Sequence, residues 1–497
     1  MRIHDFLAHH GIATNPFADE DAQTDPVFKD HCIACTYHPS WDKVYGDPLE
    51  PATSIVLGEK GAGKTAMRLQ MVRHLESHNS TNPAQRVFII EYDDFNPFLD
   101  RFVEKLGLRA KASRRVLDQW KLWDHMDAIL SLGVTALVSE LLDPGKPGAR
   151  WGQRIEAWRA RRLDRSQARD LLLLAACYDQ SMAETFPARW ARLRRKLRFR
   201  VWHSWWDRFV GVLGVGLVAA AVVVTENWNW LATPWPYVLA GASWVPWLVR
   251  SWHRFWVARG VVRQVRVGTR GISALRKVLM RFTAAEISGQ PLPTKQRTDD
   301  RYEMLMKFQN VLDAFGYRGI IVLVDRVDEP HLINGSAERM RSLVWSMLDN
   351  KFLKHPGMGI KLLLPVELST YLEREDRDFY QRARLDKQNL VPSLEWTGEA
   401  LYDVAAARLR ACAGEGAAPT LRNLFDESVT ETRLIDAFRT LRVPRHVFKF
   451  LYRLMVAHCN AHTDDRPVWR IQTEKLEATL AVYSRDQDAV DRGLRAG

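Results

Sequence analysis

The eight residues Gly58-Glu59-Lys60-Gly61-Ala62-Gly63-Lys64-Thr65 have the types and spacing of a phosphate-binding loop. In a G-x-x-x-x-G-K-T run, glycines let backbone N–H groups converge on phosphate oxygens. Gly58, Gly61 and Gly63 supply that freedom, because no Cβ obstructs a positive φ. Lys64 is placed to reach the β- and γ-phosphates, and the Thr65 hydroxyl to bind Mg²⁺. Some 260 residues on comes a second chemical element, Ile320-Ile321-Val322-Leu323-Val324-Asp325, continuing Arg326-Val327-Asp328-Glu329. Five apolar residues suit a parallel strand buried on both faces, and Asp325 at its end is placed to hold Mg²⁺ beside the loop. Asp328 and Glu329 are the candidates for the carboxylate that orients an attacking water, with Asp328 slightly preferred. No guanine-selective Asn-Lys-x-Asp motif occurs in the chain, so ATP is expected rather than GTP.

The elements that must position these groups are legible as local patterns. Ser54-Ile55-Val56-Leu57 reads as the strand entering the loop, and residues 65–75 as a helix whose N-terminus faces the phosphates. Arg86-Val87-Phe88-Ile89-Ile90-Glu91-Tyr92 reads as a second strand, and Gly359-Ile360-Lys361-Leu362-Leu363-Leu364 as another. The amphipathic stretch 304–315 delivers the chain to the Asp325 strand. A helical pattern fills the rest, with a well-buried helix at 171–176 and later helices over 399–410 and 446–456. The expected fold class is α/β: a nucleotide-binding core with a parallel sheet, a large α-helical insertion carrying a transmembrane hairpin, and a C-terminal helical lid. The divisions are 1–95 and 286–392 for the two parts of the core, 96–185 for the helical insertion, 186–285 for the basic-flanked hairpin and 393–497 for the lid.

The hairpin reading rests on residues 209–249. Residues 209–225 carry no charge, which is near the short limit of a bilayer span. A polar break, Glu226-Asn227-Trp228-Asn229, precedes a second uncharged stretch, 230–249, made irregular by Pro234, Pro236 and Pro246. Trp202, Trp205, Trp206, Trp228, Trp230, Trp235, Trp244, Trp247, Trp252 and Trp256 crowd the region in the manner of an aromatic belt. Residues 186–285 hold seventeen Lys/Arg against two acids, Asp207 and Glu226, while the whole chain is only +12. Positive charge on both flanks and almost none in the turn puts both ends on the cytoplasmic side of an inner membrane. The same excess accounts for the high pI, so nucleic acid is not the favoured partner and lipid is the simpler one. A buried helical hairpin in a soluble domain is the competing reading.

Residues 1–10 carry charges and lack the apolar core of a signal peptide. The five cysteines are scattered, as in a reducing compartment. Cys32, Cys35 and His38 could join a zinc site, but no second ligand pair follows at convincing spacing, so ordinary thiols are expected.

This layout resembles the KAP family of P-loop NTPases, in which membrane spans are inserted between the phosphate loop and the acidic strand. The resemblance is carried by residues 58–65, 209–249 and 320–329. It implies an additional-strand P-loop fold, ATP hydrolysis and membrane-associated roles such as bacterial phage exclusion or scaffolding of signalling complexes. The family usually shows Asp-Asp-x-Asp-Arg at the acidic strand, whereas Asp325-Arg326-Val327-Asp328-Glu329 is closer to the STAND and NACHT ATPases. Val443-Pro444-Arg445-His446 is similar to the lid signature of AAA+-related ATPases, which implies γ-phosphate sensing by Arg445; a plain surface arginine at a helix start is an equal reading. Arg374, Arg377, Arg382 and Arg384 are candidates for an arginine finger between subunits of a homo-oligomer.

The function expected is a membrane-anchored ATPase that couples ATP binding and hydrolysis to assembly or activation of a separate effector protein in anti-phage defence. The rivals are a soluble DNA-associated AAA+ regulator and an ATP-gated scaffold with little turnover. Since the loop and the Asp325 strand share one nucleotide, the spans between them must be even in number. With native cysteines removed, Asn229→Cys should be labelled by an impermeant thiol reagent in intact cells. Protection of that thiol in a protein released by salt would favour the buried hairpin.

Overall fold

The computed structural model describes residues 1–107, 116–144, 163–200, 206–226, 228–383, 385 and 389–491. Trp202, Trp205, Asn227 and Arg384 lie outside the described residues. Five parallel strands form one sheet: β1 (Ser54–Gly58), β2 (Arg86–Tyr92), β3 (Tyr317–Val324), β4 (Met358–Pro365) and β5 (Asn389–Val391). Their order is β2-β3-β4-β1-β5, consistent with P-loop-like folds. β4 therefore lies between the loop strand and the acidic strand. Gly58 pairs with Pro365, while Val324 pairs with Leu362 on one side and Tyr92 on the other. Both chemical elements leave the sheet at the carboxyl ends of their strands, where ligands bind in open parallel sheets.

The strands are apolar because both faces are covered. β1 and β4 are buried throughout, and β3 exposes only Arg318. On one face lies the loop helix, Lys64–Thr81, with Met67, Met71 and Leu75 in the core. On the other lies the insertion. Its helix Leu122–Leu142 is long and apolar enough to cross a membrane, yet 78 % of its apolar window is buried inside the protein. Gly133 lets it settle on the sheet, since a Cβ there would stand 2.9 Å from Ile90 Cδ1 and Phe308 Cε1. The helix Arg165–Tyr178 buries Leu171 through Tyr178 beside it, and Thr298–Ala314 returns the chain to β3.

The hairpin behaves differently. Its first arm, Trp206–Val224, has only 11 % of its apolar window buried. At about 1.5 Å per residue its nineteen residues extend roughly 28 Å, close to the hydrocarbon thickness of a bilayer. The second arm departs from the single span expected over 230–249. A 3₁₀ turn, Trp228–Ala232, leads to the helix Trp235–Ser243, and a separate helix, Val245–Gln264, follows after Trp244. Pro246 is one cause: proline has no N–H to carry a helical ladder across that point. The arms meet through small residues. Ser243 Oγ donates to Gly211 O at 3.1 Å, and a Cβ on Gly214 would lie 2.3 Å from Ser243 Cβ. Tryptophans 206, 228, 230, 235, 252 and 256 are exposed along this unit.

Several flanking arginines counted by charge toward lipid are instead used internally. Arg189 pairs with Asp179 at 2.8 Å, Arg266 Nε donates to Asp124 at 2.9 Å, and Arg270 Nε donates to Ala176 O at 3.2 Å. Arg195, Arg198, Arg200, Arg259 and Arg263 remain exposed. The C-terminal helices Gly398–Ala411, Glu431–Leu441, Pro444–Asn460 and Thr473–Asp491 form their own core, which residues 3–17 join through Phe6, Leu7, Ile12 and Phe17. The Met1 ammonium donates to His462 O at 2.6 Å.

One buried ion pair fastens the insertion to the core. Arg301, on Thr298–Ala314, reaches both Asp127 oxygens at 3.2 Å, and Tyr178 donates to Asp127 at 2.9 Å. Both charged residues are fully buried. Arg301→Met should cost about 3–5 kcal/mol in chemical denaturation because it strands a buried carboxylate, whereas Arg301→Met with Asp127→Leu should recover most of that loss. Equal losses in the single and double variants would show that the pair is not the fastening.

Candidate functional site

The loop begins where β1 ends. Gly61 and Gly63 have φ of +92° and +94°, the conformation that requires glycine. Gly58 does not; its missing side chain instead makes room for Leu394, whose Cδ1 would stand 3.2 Å from a Cβ. The helix Lys64–Thr81 opens with Gly63 as its N-cap, so its first free N–H groups face the loop's hollow. Lys64 Nζ donates to Gly58 O at 2.7 Å and Glu59 O at 2.9 Å, which curls the loop around the ammonium. Burial pushes the Lys64 pKa down; Asp325, Asp328 and Glu367 oppose that shift and Arg445 adds to it.

Asp325 is 1 % exposed and accepts a hydrogen bond from Thr65 Oγ1 at 2.9 Å. A hydroxyl and a carboxylate side by side are hard oxygen donors of the kind Mg²⁺ takes alongside phosphate and water, so Thr65 and Asp325 fit the metal role expected of them. Burial raises the Asp325 pKa, against the pull of Arg68, the Thr65 hydrogen bond and Lys64. Arg68 was not foreseen. This buried guanidinium, one turn into the loop helix, contacts Glu91, Asp93 at 2.9 Å and Asp325 at 3.3 Å. A charged residue three positions after Thr65 is the signal that could have revealed it.

The two candidate water-orienting acids separate. Arg326, held at φ +59°, donates to Gln23 Oε1 at 2.5 Å and pairs with Glu329. Glu329 is thus half exposed and engaged. Asp328 is partly buried, has no ion pair among the described residues, and acts electrostatically on Lys64. Glu367, just past β4, lines the same hollow; nothing in its local sequence marks it.

Above the loop lie the C-terminal helices. Arg445 N donates to Gly61 O at 3.4 Å, and a Cβ on Gly61 would stand 2.6 Å from Arg445 Cβ. Arg445 Nε is buried with no partner, a donor free for a phosphate oxygen. Trp396 Nε1 donates to Ala62 O at 2.9 Å and takes His38 edge-on, ring centroids 4.8 Å apart. The resulting cavity, about 340 Å³, joins Lys64, Thr65, Asp325, Asp328 and Arg445 to an apolar end built from Phe28, Val404 and Phe448. That volume falls within the ordinary range for small-molecule sites. Residues 20–38, which form one wall, carried no sequence signal for it. His38 uses both ring nitrogens, Nε2 on Glu395 O at 3.0 Å and Nδ1 on Ser40 N at 3.0 Å, and among the described residues no cluster of three or more metal-ligating side chains occurs. Arg374 and Arg377 are exposed and away from the cavity lining. No family model, curated protein or solved structure compared with the chain matches it.

The geometry separates Asp328 from Glu329 in a measurable way. For a site that turns over ATP, as expected from the sequence, Asp328→Asn should retain the nucleotide and lose hydrolysis by about 100-fold or more in single turnover, the range for removing a positioned base. Glu329→Gln should stay within a few-fold of the parent. The reverse order would transfer the role to Glu329.

Proposed function

We propose that the chain is a Mg²⁺-dependent ATPase anchored in a bilayer through residues 209–249. The observation that carries the reading is the convergence, around one hollow, of a glycine loop, Lys64, the Thr65–Asp325 pair and the unpartnered Nε of Arg445. Each group suits one part of a triphosphate. The loop amides and Lys64 bind the phosphates, Thr65 and Asp325 hold the cation, Asp328 orients water, and Arg445 meets the terminal phosphate from the lid. The cation, when bound, supplies charge neutralisation at the phosphates. The apolar end between Phe28 and Phe448 suits a base, and the lack of a guanine-selective motif makes adenine the better candidate.

The exposed arms support the anchoring. Water-facing side chains such as Val212, Leu217, Trp235 and Val249 are more than half exposed, a contiguous apolar surface of the kind that marks an interaction with membrane or partner. The output of the nucleotide cycle is assembly or activation of a partner, with the lid contact between Gly61 and Arg445 as the part that reports nucleotide state. Bacterial anti-phage defence is the setting suggested by the resemblance.

Two measurements test this. The protein should leave a membrane fraction with detergent and not with high salt, and Lys64→Ala should hydrolyse no ATP while keeping the parental melting temperature within a few degrees. That substitution opens no core cavity and gives up two hydrogen bonds to loop carbonyls and the attraction of nearby acids, against which stands the burial of its charge. Salt release would favour the soluble regulator. Full hydrolysis by Lys64→Ala would remove the site assignment.

A further inference from the structure

Where the hairpin leaves the protein body there is a second cavity, of about 1000 Å³, which the nucleotide chemistry does not use. Its walls are mainly apolar, with Trp206, Val245, Val249 and Leu292 among them, and Arg250 and Arg254 line it. Arg254 is 3 % exposed. Its Nη2 donates to Thr283 O at 3.1 Å, its Nε has no partner, and among the described residues no carboxylate pairs with it. Arg250 is paired with Asp207 and donates from Nη2 to Met280 O at 3.1 Å and Phe282 O at 2.7 Å, while its Nε is also buried without a partner. Gln290 Oε1, on the same cavity, is a buried acceptor lacking a donor.

A buried guanidinium without a counter-charge is strongly unfavourable, more so beside a second cation. Burial and Arg250 both push the Arg254 pKa down; an anion would reverse both effects. Guanidiniums suit phosphate oxygens because several N–H groups lie in one plane. Free phosphate would answer the charge yet leave the apolar walls wet. An amphiphile answers both, and a hydroxyl on its headgroup would meet Gln290.

We propose that this cavity seats the headgroup of an anionic, hydroxyl-bearing phospholipid, its phosphate on Arg250 and Arg254 and its acyl chains along the exposed arms. The inference rests on the reading that the arms enter a bilayer.

The test uses full-length protein in detergent and native mass spectrometry, with phosphatidylglycerol and phosphatidylcholine of identical chains titrated separately. The parent should retain one phosphatidylglycerol at about tenfold lower concentration than phosphatidylcholine. Arg254→Gln should abolish that preference. Ala284→Trp, at an exposed position on the cavity wall, should reduce it with both arginines kept, which guards against a misfolded arginine variant. Arg259→Gln, an exposed arginine on the same helix, should leave it intact. Equal retention of the two lipids by the parent, or a preference that survives both cavity variants, overturns the proposal. Displacement of the bound lipid by equimolar inorganic phosphate overturns the lipid assignment as well. A protein that retains neither lipid and stays monodisperse without detergent removes the membrane reading itself, a pattern distinct from equal retention.

Discussion

The hydrogen bond from Thr65 to Asp325 joins segments 260 residues apart, and the rest of the chain is arranged so that it can form. A parallel sheet brings the two strand ends to the same edge, and β4 between them sets their separation. The excursion between β2 and β3 has to return to its starting side. Closing a long loop costs little more than closing a moderate one, because the entropy grows only with the logarithm of its length. The larger demand is order inside the excursion. It is met by the buried helices Leu122–Leu142 and Arg165–Tyr178 and by Arg301 on Asp127, which give the insertion a core continuous with the sheet's.

Around that bond the charges are balanced tightly. One guanidinium, Arg68, stands among Glu91, Asp93 and Asp325. The acids belong to the ends of two neighbouring strands, so the arginine holds the tips of β2 and β3 together as well as orienting the Asp325 carboxylate. On the other side of Asp325, Lys64 sits among acids that favour its charge and a burial that opposes it. On the function proposed above, a triphosphate with its cation would enter a site where acids and bases already face one another, and the strands that carry those charges would feel its binding.

What could be read from the sequence followed from how local each signal is. β2 is legible residue for residue because seven apolar-rich positions lie together, and β3 because five apolar residues end in an acid. β5 escaped notice: three residues, Asn389–Val391, become a strand only through their pairing with β1. Glu367, Trp396 and the wall at 20–38 were invisible for a related reason, since tertiary contacts alone bring them to the loop. The net charge of the flanks was legible, but its use was not. A count of arginines cannot say that Arg189 has found Asp179 or that Arg266 has found Asp124. The prolines of the second arm were legible: Pro234 and Pro236 stand at the start of Trp235–Ser243, and Pro246 at the division after Trp244.

The insertion leaves the sheet after β2 and comes back through Thr298–Ala314 directly into β3. These two strands lie side by side, with Arg68 bridging their ends. Mechanically, the two ends of the insertion are the two plates on either side of one electrostatic rivet. With the arms anchored in a bilayer as proposed above, a lateral pull on them would pass through the insertion toward β2 and β3, whose tips the Arg68 guanidinium joins. On that proposal, tension in the membrane would bear on the two strands whose tips flank Asp325.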